Sequence, residues 1–100
     1  MSLTLCCLLW AHPGKEHALS LYEDRVLTLL PDHGATLVSR VRSDGADGHP
    51  LEVQVFEFPS QRSLDAYVED PRRTALAAER DAAVARTELM NVEVVDNVSR

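Results

Sequence analysis

The chain has 100 residues, 45% of them hydrophobic and 26% charged, with 16 acids against 10 basic residues and a formal net charge of −6. This length gives a single domain, 1–100 with its core over about 3–95, near the lower size at which one core suffices without a partner, and the composition excludes wholesale disorder. The basic residues are scattered rather than clustered, which excludes a phosphate-binding surface, so no nucleic-acid partner is expected.

The apolar start, Leu3 to Trp10, has no preceding basic residue and runs into His12-Pro13-Gly14 instead of a small-residue cleavage site. It reads as a buried strand of a cytoplasmic protein, and no stretch reaches the roughly 20 apolar residues a membrane helix requires. Cys6 and Cys7 are adjacent in that strand, point to opposite faces and are expected to be reduced.

Leu3 to Ala11 is apolar on both faces, as in a central strand. Lys15 to Leu30 carries Ala18, Leu19, Tyr22, Val26, Leu29 and Leu30 at helical spacing and stops at Pro31-Asp32-His33-Gly34. Thr36 to Arg42 reads as a strand, Ser43 to Pro50 as a turn-rich loop, and Leu51 to Phe58 as the third strand. Pro59-Ser60 opens a helix with Ser60 as N-cap. Asp70-Pro71 restarts it, with Asp70 as cap, and the Ala-rich stretch from Arg72 to Arg86 continues it. Leu89 to Val95 is the last strand and Asp96 to Arg100 a tail.

This order predicts an α+β, ferredoxin-like βαββαβ fold: a four-stranded antiparallel sheet with both helices on one face. Apolar alternation puts Leu37, Val41, Leu51, Val53, Val55, Met90, Val92 and Val94 toward the helices. It leaves Thr4, Cys6, Leu8, Trp10, Val38, Arg40, Arg42, Glu52, Gln54, Phe56, Phe58, Asn91 and Glu93 on the open face. That face is too apolar for water, and a second copy is the expected cover, with Arg40, Glu52, Gln54 and Glu93 pairing at the interface.

The Pro13-Gly14-Lys15 turn, the helix ending in His33-Gly34, and Phe56-Glu57-Phe58-Pro59-Ser60 followed by Leu64-Asp65-Ala66-Tyr67 and Asp70-Pro71 resemble the dimeric α+β barrel superfamily. The match is closest to its DUF1330-type uncharacterised group and spans about residues 3 to 95. Wider relatives include antibiotic biosynthesis monooxygenases, stress-responsive barrel proteins and muconolactone isomerases. The resemblance implies a homodimer and leaves three functions in view: binding of a small hydrophobic or aromatic molecule, cofactor-independent monooxygenase or isomerase-like chemistry, or a non-catalytic stress-related dimer. It brings no site residue with it.

Candidate site residues come from the chain itself. Glu57 falls, by the same alternation, on the helix-facing side under the second helix, where burial would raise its pKa and suit a general base; the plainer alternative is that it accepts backbone hydrogen bonds at the junction or pairs with an arginine such as Arg25 or Arg73. His12 is the second candidate proton-transfer group. The topology gathers it with Trp10, His17, Arg42 and His49 at one end of the sheet, and places His33 and Ser60 at the other. Trp10, Tyr22, Arg40 and Tyr67 are candidate substrate-binding residues for a flat ring, although aromatics on inner stripes more commonly serve as core. No metal-ligand spacing, nucleophile motif or phosphate loop is present, so no metal or cofactor is expected.

Overall fold

The four strands form one sheet in the order β2-β3-β1-β4, with each neighbouring pair antiparallel. The structure is a computed structural model and describes residues 2–95; the predicted tail from Asp96 to Arg100 lies outside them. In chain order the elements are β1 (Leu3–Ala11), α1 (Glu16–Leu27), a 3-10 turn (Leu30–His33), β2 (Thr36–Arg42), a second 3-10 turn (Ala46–Gly48), β3 (Glu52–Phe58), α2 (Gln61–Val68), α3 (Pro71–Thr74), α4 (Ala77–Ala83) and β4 (Val84–Asn91). The strand order is that of the ferredoxin-like α+β fold, with β1 and β3 central. No helix among the described residues is long and apolar enough to cross a membrane.

Both predicted caps form. Ser60 Oγ accepts from the Ser63 amide at 3.1 Å, and Asp70 Oδ1 accepts from the Arg72 amide at 2.9 Å with Pro71 at the first helical position. Gly34 closes the turn after α1 at φ 70°, and a Cβ there would lie 3.3 Å from the Pro59 ring. That position needs glycine twice over, for the left-handed backbone and for the approach of the β3–α2 junction.

The facing of the strands corrects the alternation reading. On β1, Leu5, Cys7 and Leu9 are buried under the helices while Thr4, Cys6, Leu8 and Trp10 face the open side, as expected. On β3 the phase is the reverse of that predicted. Glu52, Gln54, Phe56 and Phe58 pair with Leu9, Cys7, Leu5 and Leu3 on the helix side, and Val53, Val55 and Glu57 face outward. A bulge between Leu37 and Ser39 in β2 then puts Leu37, Arg40 and Arg42 on the helix side and Val41 on the open side. The apolar-inward rule fails here because the polar residues of the helix side satisfy one another, and because the open side is apolar too.

The helix predicted to run to Arg86 stops at Ala83, and β4 starts at Val84 rather than Leu89. Antiparallel pairing with β1, from Ala11 opposite Val84 to Leu5 opposite Asn91, sets this boundary, and it overrides the helix propensity of the alanines. Met90 consequently pairs with Cys6 on the open face, Leu89 with Cys7 on the helix face, and Val92 and Val94 lie beyond the strand.

The core centres on Leu5, Leu9, Leu19, Tyr22, Val26, Leu30, Phe58 and Tyr67. Phe58 stacks tilted on Tyr67 at 5.5 Å and edge-on to Phe56 at 5.6 Å, and fully burying each such side chain is worth about 1.5–3 kcal/mol.

Candidate functional site

A polar layer runs between α1 and the sheet, assembled by the inward phase of β3. Glu52, fully buried at 0% exposure, accepts from Ser20 Oγ at 2.7 Å, Arg40 Nε at 2.7 Å, Arg42 Nη2 at 3.3 Å and Gln54 Nε2 at 3.2 Å. Burial alone would push its carboxyl up, but the hydrogen bonds from Arg40, then Ser20 and Gln54, hold it below the usual range. Arg40 also reaches Asp24 at 2.6 Å and the Ser20 carbonyl at 3.1 Å. Arg40, Glu52 and Gln54, expected on the open face, therefore belong to the helix side of the sheet.

The same layer contains a second carboxylate in a different condition. Glu23 projects from the inner stripe of α1, is 6% exposed, and accepts from Gln54 Nε2 at 2.9 Å. Desolvation pushes its pKa up; the Gln54 hydrogen bond opposes this, and the nearby Glu52 charge reinforces it.

Glu23 forms part of the wall of a cavity of about 90 Å³ between the sheet and α2–α4. The other polar groups there are Cys7, Gln54, Tyr67, Arg73, Arg80 and Thr87. Apolar residues complete the lining, among them Leu64, Val68 and Leu89. Val68 and Leu89 are 43% and 49% exposed, so the cavity reaches the surface between them. The volume is below the ~150 Å³ of a dry cavity that takes benzene and the ~300 Å³ of a drug-sized site. The interior thus has room only for a small group, or for one end of a larger molecule.

The charges in this wall are unbalanced. Arg73 forms no ion pair among the described residues; its guanidinium lies over the Tyr67 ring at 5.1 Å, Nη1 donates to the Val68 carbonyl at 3.4 Å, and the buried Nε has no partner. Arg80 donates to Thr87 Oγ1 at 3.1 Å, and its nearest carboxylate is the adjacent Asp81 at 4.0 Å. Burial pushes both the Cys7 thiol and the Tyr67 phenol up to about 12, so both are neutral at physiological pH. The wall therefore combines two cations, neutral donors and a carboxyl whose pKa is raised by burial. When that carboxyl is ionised, such a set can take a proton from a weak acid and hold the anion that remains.

The structure distributes the sequence candidates widely. Tyr67 lines the cavity, whereas Tyr22 is buried in the core at 1% exposure. Trp10 sits on the open side under the Arg86 guanidinium at 4.3 Å, and its Nε1 donates to the Gly48 carbonyl at 2.9 Å. It shares a recess with His49, and His17 shares another with Arg42; Glu16 lines both recesses and His12 lines neither. His12 is exposed, and its backbone amide bonds to the Ala83 carbonyl. Among the described residues no three His, Cys, Asp or Glu side chains converge as metal ligands.

Glu57 is placed contrary to expectation. It is exposed on the open side with Thr4 Oγ1 3.5 Å away, so the burial on which its candidacy rested is absent. Neither proposed arginine pairs with it: Arg25 bonds to Glu79 at 2.6 Å and Arg73 lies over Tyr67.

No family model matches the chain, and no curated protein is significantly similar to it. Solved structures do match in fold. A protein of unknown function from Rhodopseudomonas palustris superposes with a TM-score of 0.74 at 17% identity, covering 96% of this chain and 84% of that one. A dimeric protein of unknown function and ferredoxin-like fold from Bacteroides fragilis gives 0.69 at 9% identity, with 93% and 96% covered. SnoaB, a cofactor-independent oxygenase from Streptomyces nogalater, gives 0.70 at 11% identity, with 99% and 98% covered. At such identities the likeness establishes the fold and leaves the activity to the site itself.

Proposed function

We propose that this chain is a dimeric α+β barrel protein whose cavity between the sheet and α2–α4 binds a small, weakly acidic, hydrophobic or aromatic molecule, with Glu23 as its proton acceptor. The observation that carries this reading is a buried carboxyl of raised pKa in the wall of a cavity that also contains an unpaired arginine. The small volume confines the interior to a polar head, with the apolar body lying between Val68 and Leu89. Similarity to the DUF1330-type group rests on the Phe56–Ser60 junction and is part of this proposal.

The test uses 4-nitrophenol, whose ionised form is coloured. Binding should perturb the NMR signals of Leu64, Val68 and Leu89 and favour the ionised probe, and Glu23→Gln should retain binding while shifting the pH at which the bound probe ionises. Absence of any perturbation at the cavity would sink the proposal.

A second reading, a cofactor-independent oxygenase, is supported by the fold likeness to SnoaB together with Glu23. In it, the substrate proton passes to Glu23 and the resulting anion is the species that reacts with dioxygen.

The dimer part of the proposal rests on the open face. Cys6, Leu8, Val53 and Val55 are only half-buried there, Val41 and Met90 are exposed, and no element covers them among the described residues. Light scattering should give the mass of two chains, and Val55→Asp should halve it.

A further inference from the structure

The cavity's own charges specify its occupant further, on the premise that the cavity is the ligand site. We infer that the ligand carries a carboxylate or equivalent planar oxyanion, and that it pairs with the Arg73 guanidinium in the cavity wall. Arginine presents its donors in a fixed planar fork that matches such a group. In Arg73 that fork is only partly used: Nη1 reaches the Val68 carbonyl, the ring of Tyr67 lies against the guanidinium, and Nε is buried without a partner. No carboxylate of the described residues forms an ion pair with this arginine.

The remaining groups in the wall select the same charge. Glu23, the one acid in the lining, is bonded to Gln54 rather than to either cation. Arg80 adds a second positive charge whose nearest carboxylate is its own neighbour in sequence, 4.0 Å away. A neutral molecule would leave Arg73 without a counter-charge in a partly desolvated wall, whereas an anion supplies one and accepts a charge-assisted hydrogen bond. Tyr67, packed against the guanidinium, holds the fork in place, and the apolar pair Val68 and Leu89 accommodates the ligand body.

The experiment compares benzoate with benzamide, its neutral isostere, on the ¹³C,¹⁵N-labelled 100-residue chain by NMR titration, following cavity methyls and the Arg73 Nε–Hε signal. Benzoate should bind at least about tenfold more tightly than benzamide and shift the Nε–Hε signal downfield. Arg73→Gln should abolish that preference by weakening benzoate more than benzamide. If both probes perturb the cavity with equal affinity, the ligand site stands and the anion assignment falls. A benzoate preference that survives Arg73→Gln, or leaves the Nε–Hε signal unmoved, also overturns it. If neither probe perturbs the cavity, the ligand-site reading itself fails. Should Arg73→Gln not fold, the wild-type affinity ratio and Nε–Hε shift still decide between these outcomes.

Discussion

Glu52 and Glu23 lie in one layer between α1 and the sheet and both accept from the amide of Gln54, yet their surroundings differ sharply. Glu52 is enclosed by Ser20, Arg40 and Arg42, and the hydrogen bonds from Arg40, Ser20 and Gln54 lower its pKa. Glu23 has only the Gln54 amide and borders a cavity, so burial dominates and favours its proton. The difference separates a carboxylate that organises the fold from one free to exchange a proton: the number of donors around each decides its role, since burial is similar for both.

Removing Glu52 gives the strongest test of this contrast. Glu52→Ala strands Arg40 beside Asp24 in a partly buried site, and chemical denaturation should show a loss of about 3–5 kcal/mol. A loss under about 1 kcal/mol would mean that Glu52 is not the organising charge. Replacing both partners, Glu52→Leu with Arg40→Met, should cost less than the single change, because the charges then left without partners, Asp24 and Arg42, are exposed to solvent.

The two carboxylates also predict opposite pH behaviour. Glu52 has a lowered folded pKa, so its contribution is present above the unfolded value of about 4.3 and is lost as pH falls below it. Glu23 has a raised folded pKa, so its contribution is present below about 4.3 and is lost as pH rises through the folded value. Glu23→Gln should therefore stabilise the protein at pH 8, by less than Glu52→Ala destabilises it. The gain should vanish in acid, where wild type and variant should melt together. A Glu23→Gln variant less stable than wild type at pH 8 would erase the distinction.

The smallest effect concerns Cys7, the thiol that lines the cavity. With its pKa pushed up to about 12 by burial, it should resist iodoacetamide at pH 8 until the chain unfolds, as read by mass spectrometry of the β1 peptide. Rapid labelling of native Cys7 would show that the cavity opens more widely than its 90 Å³ volume implies.

The element order, both caps and the facing of β1 were legible in the sequence because each rests on local signals: Ser60 and Asp70-Pro71 for the caps, apolar runs for the strands. The phase of β3 was not. Val53 and Val55 look like core and Glu52 and Gln54 like surface, and only the partners contributed by α1 and β2 reverse that assignment. Glu57 was misplaced by the same inversion. Glu23 was detectable, because a carboxylate between Tyr22 and Val26 on the inner stripe of α1 is an anomaly that periodicity exposes. Arg73 and Arg80 were not, since their place in the wall depends on the interruption between α3 and α4 and on the early start of β4, which pairing with β1 imposes.

β1 is hydrogen-bonded on both sides, and alternate residues serve the cavity layer and the open face: Cys7 and Leu9 on one, Cys6 and Leu8 on the other. A single-residue deletion in this strand would exchange the two sets, sending Cys6 and Leu8 into the interior and the interior pair outward. The strand is thus a common partition with no slack, and variation in length among proteins that share this architecture should be confined to its loops, with Ser43 to Pro50 the natural place for it.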